Sequence, residues 1–212
     1  MILADIGNSY FHIYDGEKVE HLTYEDAIDT YRDETLYYIS VKHQLTSKIE
    51  AMENWKNISS LMKIDGEYDT MGVDRKALCL SHENGIFVDA GSAITVDVVT
   101  KGRYTGGFIL PGLKAYLKSY KSISLALDID LSKDLKLTHL PTTTKEQISY
   151  GIITSIKALI DKHSDGKKSN NRKLYFTGGD GMFLSQYFEK AVYDEMLVFD
   201  GMRQVLKDKK IC

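Results

Sequence analysis

The chain has 212 residues, of which 43% are hydrophobic and 27% are charged, and its formal net charge is −3. This size and composition are typical of a globular protein with a substantial core, built as one large domain or two small ones. The basic clusters, Lys167-Lys168 and 207–210, are short, so binding to nucleic acid or to a membrane surface has little electrostatic support. No uncharged apolar run approaches the ~20 residues that span a bilayer.

Two further features of the composition bear on where the protein works. Cys79 and Cys212 are far apart in sequence and form no CxxC pair, which argues against a disulfide framework or a structural zinc site. The first ten residues carry an acid and no basic segment, unlike a secretory signal peptide. We therefore expect a cytoplasmic protein.

The first part of the chain predicts alternating strands and helices. The expected strands are 2–5, 10–14, 17–22 and 35–41, with a weaker one at 58–64, and the expected helices are 24–31, 43–54 and one from about Val73. Asp15-Gly16 is typical of a hairpin turn, and Thr23 is a suitable cap for the helix that follows.

The second part predicts a similar order. The expected strands are 85–89, 93–99, 103–109, 173–176 and 195–199, and the expected helices are 113–126, 145–163, 181–190 and 201–209. A repeat this long suits a duplicated domain rather than a solenoid. We place the boundary between residues 84 and 85, which gives an N-terminal lobe 1–84 and a C-terminal lobe 85–212.

Each predicted lobe contains the same short acidic motif after its first apolar strand. Asp5-Ile6-Gly7-Asn8-Ser9 in the first lobe matches Asp89-Ala90-Gly91-Ser92-Ala93 in the second. Glycine lets the backbone turn tightly and approach a ligand, and a concave set of backbone N–H groups holds phosphate oxygens. A carboxylate beside phosphate requires a cation, and Mg²⁺ accepts few carboxylates together with water and phosphate oxygens. The repeat therefore indicates a clamp for a nucleotide polyphosphate, although either motif alone is more often an ordinary turn.

Two more segments are candidates for a site. Thr177-Gly178-Gly179 lies between a predicted strand and a predicted helix, where backbone can pack against adenine or ribose and anions are favoured. Gly72-Val73-Asp74-Arg75 places an acid, a candidate proton acceptor, beside an arginine that can hold a carboxylate or phosphate. The alternatives are an ordinary strand–helix turn and an acidic helix cap with a solvated neighbour. No dinucleotide-binding fingerprint or P-loop sequence is present.

Taken in order, the motifs resemble those of the type III pantothenate kinases, which have the actin-like ATPase and sugar-kinase fold. The matching residues are Asp5-x-Gly7-Asn8-Ser9, 72–75, Asp89-x-Gly91-Ser92-Ala93-x-Thr95-x-Asp97, Gly106-Gly107-x-Ile109-x-Pro111-Gly112 and 177–179. The resemblance implies an α/β protein with a duplicated actin-like (ribonuclease H-like) two-lobe fold, in which mixed sheets are flanked by helices. It also implies an enzyme of coenzyme A synthesis that transfers the γ-phosphate of ATP to the primary hydroxyl of pantothenate.

The resemblance implies a role for each matching residue. The expected ATP-binding residues are Asp5, Ile6, Gly7, Asn8, Ser9, Tyr10, Phe11, His12, Ser92, Gly178 and Gly179. The expected pantothenate-binding residues are Tyr68, Gly72, Val73, Asp74, Arg75 and Thr144. Asp74 would be the general base, Asp5 would lie near Mg²⁺, and Asp89 would hold the K⁺ or NH₄⁺ that the family typically requires. Family members are typically homodimers.

The chain departs from the family pattern in three places. It is shorter than usual, and the loop before Gly72 looks trimmed. Ser9 and Ser92 replace the commoner threonines but keep a hydroxyl. Thr143 is an alternative to Thr144 for the pantothenate contact.

Two other classes of function remain open at this point. One is a different actin-fold enzyme, such as a small sugar kinase or a polyphosphate-cleaving phosphatase. Arg75 beside an acid favours an acidic substrate over a neutral sugar. The other is a non-catalytic nucleotide-binding or regulatory protein, against which the intact Asp5, Asp74 and Asp89 argue.

Overall fold

The chain forms two compact units. The computed structural model describes residues 1–7, 10–41, 46–164 and 172–211, and among these no helix is both long and apolar enough to cross a membrane. One unit comprises Met1–Asn84, Val99–Thr105 and Glu195–Cys212, and the other comprises Gly85–Val98 and Gly106–Asp194. The first unit thus includes two segments, 99–105 and 195–212, that lie in sequence beyond the predicted boundary at 84/85.

Within the described ranges, ten strands form two five-stranded sheets of the same topology. The strands are β1 (Ile2–Ile6), β2 (Phe11–Tyr14), β3 (Val19–Leu22), β4 (Leu36–Ser40), β5 (Trp55–Asn57), β6 (Gly85–Ala90), β7 (Ala93–Thr100), β8 (Arg103–Pro111), β9 (Leu174–Thr177) and β10 (Val192–Tyr193). Their orders are β3-β2-β1-β4-β5 and β8-β7-β6-β9-β10. β1 pairs antiparallel with β2 and parallel with β4, and β6 pairs parallel with β9. The matching order is the structural counterpart of the repeated sequence motif.

In the part of the chain that the structure describes, seven α-helices accompany the sheets. They are α1 (Tyr24–Tyr31), α2 (Thr46–Glu50), α3 (Val73–Leu80), α4 (Leu113–Ile123), α5 (Thr144–Ser164), α6 (Gly181–Ser185) and α7 (Leu197–Asp208). The predicted cap of α1 is confirmed, because the Thr23 side chain accepts a hydrogen bond from the Asp26 amide. Both sheets are mixed and flanked by helices, as predicted.

One hydrophobic cluster of the first unit lies on one face of its sheet. Ala4, Ile6, Phe11 and Ile13 are fully buried and pack with residues of α1 and with Trp55. Phe11 makes edge-to-face ring contacts with Tyr24 and Trp55, a favourable arrangement for aromatic pairs. Successive side chains of a strand point to opposite faces of the sheet, so Asp5 and His12 lie on the face opposite to Ala4 and Phe11.

Helix α7 packs closely against α3, the helix that begins at Val73. Gly201 lies within α7, and a Cβ atom placed on it would be 1.8 Å from the carbonyl oxygen of Ala77. No side chain larger than hydrogen fits there without moving one helix. This backbone-to-backbone approach fixes the position of α3 and hence of Asp74.

The second unit has its own core under helix α5. Ile148, Ile152, Ile153, Ile156 and Ile160 are buried against strands β6, β7 and β9. Their spacing forms the apolar stripe of an amphipathic helix. The stripe holds α5 to the sheet that carries the second acidic motif.

Two predicted strands were wrong. The segment 195–199 is not a strand, because β10 is only Val192–Tyr193 and α7 already begins at Leu197. The segment 58–64 contains a 3₁₀ turn at Ser59–Leu61, and the edge strand lies earlier, at Trp55–Asn57. In both segments the apolar side chains are buried, but the backbone that carries them is a helix or a turn. A short apolar run in the sequence does not distinguish these backbones from a strand.

Two predicted helices were too long. The segment 43–54 is helical only at Thr46–Glu50 among the described residues, and residues 42–45 lie outside them. The segment 181–190 is helical only to Ser185. The remaining predicted elements agree with the structure to within a few residues.

Candidate functional site

The first acidic turn follows the central strand of its sheet. Asp5 is the penultimate residue of β1, and its Oδ1 is shielded from solvent. The Gly7 amide donates to the Tyr10 carbonyl at 3.2 Å, and the Tyr24 hydroxyl of α1 donates to the Gly7 carbonyl. Both backbone groups of Gly7 are therefore held, while the predicted Asn8 and Ser9 lie outside the described residues.

The other predicted ATP-binding residues of this hairpin have different environments. Ile6 and Phe11 point into the core, so only their backbone faces the turn. Tyr10 is 51% exposed. His12 lies opposite Asp5 in the strand pairing. Burial, followed by the charge of nearby His21, lowers the pKa of His12 to about 4, so its ring is neutral at neutral pH.

Asp74 lies in the first turn of α3. Its Oδ1 accepts a hydrogen bond from the Arg75 amide at 2.8 Å. A Cβ atom on Gly72 would be 2.5 Å from the same oxygen, so glycine at the helix cap leaves room for the carboxylate. The helix N-terminus also favours a negative charge at this position.

Arg75 is buried beside two tyrosines. Only 6% of it is exposed, and its guanidinium donates to the hydroxyls of Tyr68 at 2.6 Å and Tyr104 at 3.4 Å. Its charge also lies 5.8 Å from the ring centre of Tyr68, within the range of a cation–π contact. The structure thus joins Tyr68, Arg75 and Asp74 in one polar cluster at the start of α3.

The loop before Gly72 is tied to α3 through Glu67. Glu67 accepts hydrogen bonds from the Ile64 amide at 2.8 Å and from Lys76 at 3.0 Å. Burial raises the pKa of Glu67, but these two bonds outweigh it, and the net pKa is lower than usual. The Lys76 pair ties the loop to α3 and supports Tyr68 in its position.

The second acidic turn is enclosed by backbone from two other segments. The Gly91 amide donates to the Ala93 carbonyl at 2.9 Å. The Gly112 amide donates to the Ser92 carbonyl, and a Cβ on Gly112 would be 2.3 Å from the Gly91 carbonyl oxygen. Two motifs singled out in the sequence, 89–93 and 106–112, therefore meet within this unit.

The third segment at this turn is 177–180. Gly178 has a φ of +83°, and a Cβ on it would lie 2.4 Å from Asp89 Oδ1 and 2.6 Å from the Ala90 carbonyl oxygen. The Asp180 amide donates to that carbonyl at 2.8 Å. Burial raises the pKa of the Asp180 side chain, against a smaller opposite effect from Lys114. Asp89 and the Ala90 carbonyl thus bring two oxygen atoms together, the ligand type that hard cations prefer.

The remaining predicted residues are accessible. Ser92 and Gly179 are exposed in the second turn. Thr143 forms a capping box with Glu146: its hydroxyl donates to the Glu146 carboxylate at 2.8 Å and accepts from the Glu146 amide at 3.4 Å. Thr144 is exposed as the first residue of α5. Since the Thr143 hydroxyl caps the helix, Thr144 is the better placed of the two for a ligand.

Three residues of the site region were not identified from the sequence. Tyr24 holds Gly7, Tyr104 contacts Arg75, and His21 contacts His12. Each comes from a distant or neighbouring element through tertiary packing, and no local motif marks it. Among the described residues no three His, Cys, Asp or Glu side chains gather as a metal site. A cation at either turn would therefore take further ligands from backbone, water or phosphate.

Solved structures of low sequence identity share this architecture. MreB 5 of Spiroplasma citri bound to AMPPNP has a TM-score of 0.51 at 10% identity, covering 99% of this chain and 96% of that one. A 2-dehydro-3-deoxygalactonokinase structure from Sinorhizobium meliloti has a TM-score of 0.55 at 10% identity, covering 98% of each. The chain therefore has the actin-like ATPase and sugar-kinase fold.

Closer relatives identify the family. A family model for type III pantothenate kinases matches residues 56–165. The type III pantothenate kinase of Campylobacter hominis is 40% identical over 210 residues, covering 99% of both chains, and that of Campylobacter jejuni is 38% identical over 208 residues, covering 98% of this chain and 97% of its own. A C. jejuni structure described under the name Baf family transcriptional activator has a TM-score of 0.88 at 35% identity over the whole of both chains. The chain belongs to the type III pantothenate kinase family.

The enclosed second turn predicts different effects for two adjacent glycines. In Gly178→Ala the new Cβ would clash with Asp89 and Ala90, and alanine would be strained at the positive φ of this position. We therefore expect the free energy of unfolding to fall by about 1–3 kcal/mol or more. In Gly179→Ala the Cβ has nothing within 4 Å, and we expect a change within about 0.5 kcal/mol. Urea denaturation of both variants measures the difference. Equal stabilities would contradict the close approach at Gly178.

Proposed function

We propose that this chain transfers the γ-phosphoryl group of ATP to the primary hydroxyl of pantothenate, giving 4′-phosphopantothenate, the first step of coenzyme A synthesis. The observation that carries the proposal is the similarity, over 98% or more of the chain, to type III pantothenate kinases. The three acids that the reaction needs, Asp5, Asp74 and Asp89, are all present. Cytoplasm is the expected location, since ATP is abundant there.

The Asp5 turn is the proposed site for the ATP phosphates. Both backbone groups of Gly7, which leads into this turn, are held by hydrogen bonds, so the entry to the proposed phosphate site has a fixed position. The shielded carboxylate of Asp5 suits a role near Mg²⁺, which would neutralise phosphate charge in the usual way for phosphoryl transfer. Asn8 and Ser9 complete the proposed segment from Asp5 to His12.

Asp74 is the proposed general base. Phosphoryl transfer depends chiefly on position and charge neutralisation, but an alcohol has a high pKa and gains from a positioned proton acceptor. The hydrogen bond from the Arg75 amide and the room left by Gly72 orient this carboxylate. It would accept the hydroxyl proton as the hydroxyl oxygen attacks the γ-phosphorus and ADP leaves.

The polar cluster at the start of α3 is the proposed pantothenate site. Arg75 is largely dehydrated, so water would compete little with a carboxylate for its guanidinium. Tyr68 is held by Arg75 yet remains 41% exposed, which suits a residue that contacts a ligand. Gly72, Val73 and Thr144 are the other proposed contacts.

The Asp89 turn is the proposed site of a monovalent cation and part of the nucleotide. Asp89 and the Ala90 carbonyl offer converging oxygens that fit K⁺ or NH₄⁺. Ser92, Gly178 and Gly179 would contact ATP through a hydroxyl and through backbone.

A homodimer is also proposed. Ile123, Leu125 and Leu140 in the second unit are 72%, 81% and 77% exposed, respectively, and exposed apolar side chains of this kind are often covered in an oligomer. Sedimentation equilibrium tests this, and a monomer at micromolar concentration would contradict it.

A regulatory role is the second candidate, because the similar C. jejuni structure carries the name of a transcriptional activator family. The net charge of −3 gives little support for direct binding to DNA. The two functions make different predictions about ATP turnover.

Release of ADP in the presence of different acceptors tests the proposed function. With Mg²⁺ and K⁺ we expect release that depends on pantothenate, little release with glucose or without an acceptor, and a large loss when Na⁺ replaces K⁺. Release without any acceptor would indicate an ATPase or phosphatase. No release under any condition would leave a binding or regulatory protein.

The proposed base is tested by Asp74→Asn, which keeps the size of the side chain but removes its capacity to accept a proton. We expect kcat to fall about 10²–10⁴-fold with little change in the Kd for ATP. Asp33→Asn, at an exposed position in a turn, is the control and should retain wild-type kcat. Wild-type turnover in Asp74→Asn would exclude Asp74 as the base.

A further inference from the structure

Three side chains form a row across adjacent strands of the first sheet. Asp5 on β1 is paired with His12 on β2, and His12 is paired with His21 on β3. Directly paired residues of antiparallel strands lie on the same face with their Cβ atoms about 5 Å apart. The row therefore runs from the Asp5 turn to the edge of the sheet.

The two histidines of the row are in hydrogen-bond contact. Their Nδ1 atoms are 2.6 Å apart, and the rings meet edge to face with centroids 4.8 Å apart. A bond between two Nδ1 atoms uses one proton, so one ring donates and the other accepts. A neutral His12 ring that accepts at Nδ1 carries its proton on Nε2, whereas one that donates from Nδ1 leaves Nε2 unprotonated.

The other nitrogen of His12 faces the phosphate turn. A Cβ atom placed on Gly7 would be 3.7 Å from His12 Nε2 and 3.8 Å from Cδ2. This edge of the ring therefore lies beside the backbone that is held by Tyr10 and Tyr24. An N–H at this edge attracts a phosphate oxygen, whereas a bare nitrogen lone pair repels it.

We propose that His21 is a positioning residue that sets the tautomer of His12. His21 Nδ1–H donates to His12 Nδ1, which places the His12 proton on Nε2, where it donates to a phosphate oxygen of ATP at the Asp5 turn. A neutral donor adds this hydrogen bond without placing a positive charge beside Asp5. The assignment rests on the proposed binding of ATP phosphates at this turn.

The tautomer is measured directly by long-range ¹H–¹⁵N NMR of the histidine rings with AMPPNP and Mg²⁺ bound. We expect protonated Nε2 and unprotonated Nδ1 in His12 of the wild-type protein, and a mixture in His21→Phe. In His21→Gln the side-chain amide can still donate to His12 Nδ1, so we expect the wild-type tautomer to return. Protonated Nδ1 in wild-type His12 would overturn the proposal.

Binding gives a second and independent measurement. We expect His21→Phe to weaken the Kd for AMPPNP about two- to tenfold, the effect of one neutral hydrogen bond, and to leave the KM for pantothenate unchanged. His139→Phe removes an exposed histidine elsewhere and should bind normally. In a His12→Phe background the His21→Phe change should have no further effect.

The outcomes separate this proposal from the proposed function. If the wild-type protein binds AMPPNP with the expected tautomer but phosphorylates no pantothenate, the enzymatic assignment fails and the role of His21 stands. If pantothenate is phosphorylated and His21→Phe binds AMPPNP as tightly as the wild-type protein, the role of His21 fails.

Discussion

In each unit, the candidate site depends on one constraint, which is the fixed position of a carboxylate at the end of the central strand. Asp5 and Asp89 are the penultimate residues of β1 and β6, and each of these strands is the middle one of five. A middle strand is bonded on both sides, so it cannot shift without breaking two ladders. Placing the acid there gives it a fixed position next to a turn, which is what binding a charged ligand requires.

The two turns are fixed by different means. At the first turn, the Tyr24 hydroxyl donates to the Gly7 carbonyl and the Gly7 amide donates to the Tyr10 carbonyl. The second is held by close backbone packing, with no space for a Cβ at Gly112 or Gly178. The duplicated motif has thus come to occupy two unlike environments, which agrees with the separate roles proposed for phosphate and for cation.

Much of the fold could be predicted from the sequence because its signals are local. Alternation and turn residues gave β1 to β3, and Thr23 marked the start of α1. The C-terminal strand was mispredicted for a reason that lies outside the segment. Leu197, Val198 and Phe199 are buried from the first turn of α7, and Gly201 lies inside this helix against the Ala77 carbonyl. No inspection of 195–209 alone reveals that contact.

In the candidate site, too, the features that could be predicted are those marked by neighbouring residues in the sequence. The acids and glycines could be proposed as site residues because they lie in short motifs, whereas the residues that contact them could not. Tyr104 reaches Arg75 from the hairpin of β7 and β8, which sequence order assigns to the other lobe. Such partners are defined by tertiary contacts, and a single sequence carries no pattern for them.

The loop before Gly72, which comparison with the family pattern led us to expect to be short, carries Tyr68 and is held by contacts with its neighbours. Gly66 has a φ of +82°, and a Cβ there would be 2.4 Å from the Tyr104 carbonyl oxygen, so the loop packs on the β7–β8 hairpin through glycine. The Tyr104 amide donates to the Asp65 carbonyl at 2.8 Å, and Arg103 pairs with the Asp65 carboxylate. These contacts at Asp65 and Gly66 fix the start of the segment that carries Tyr68.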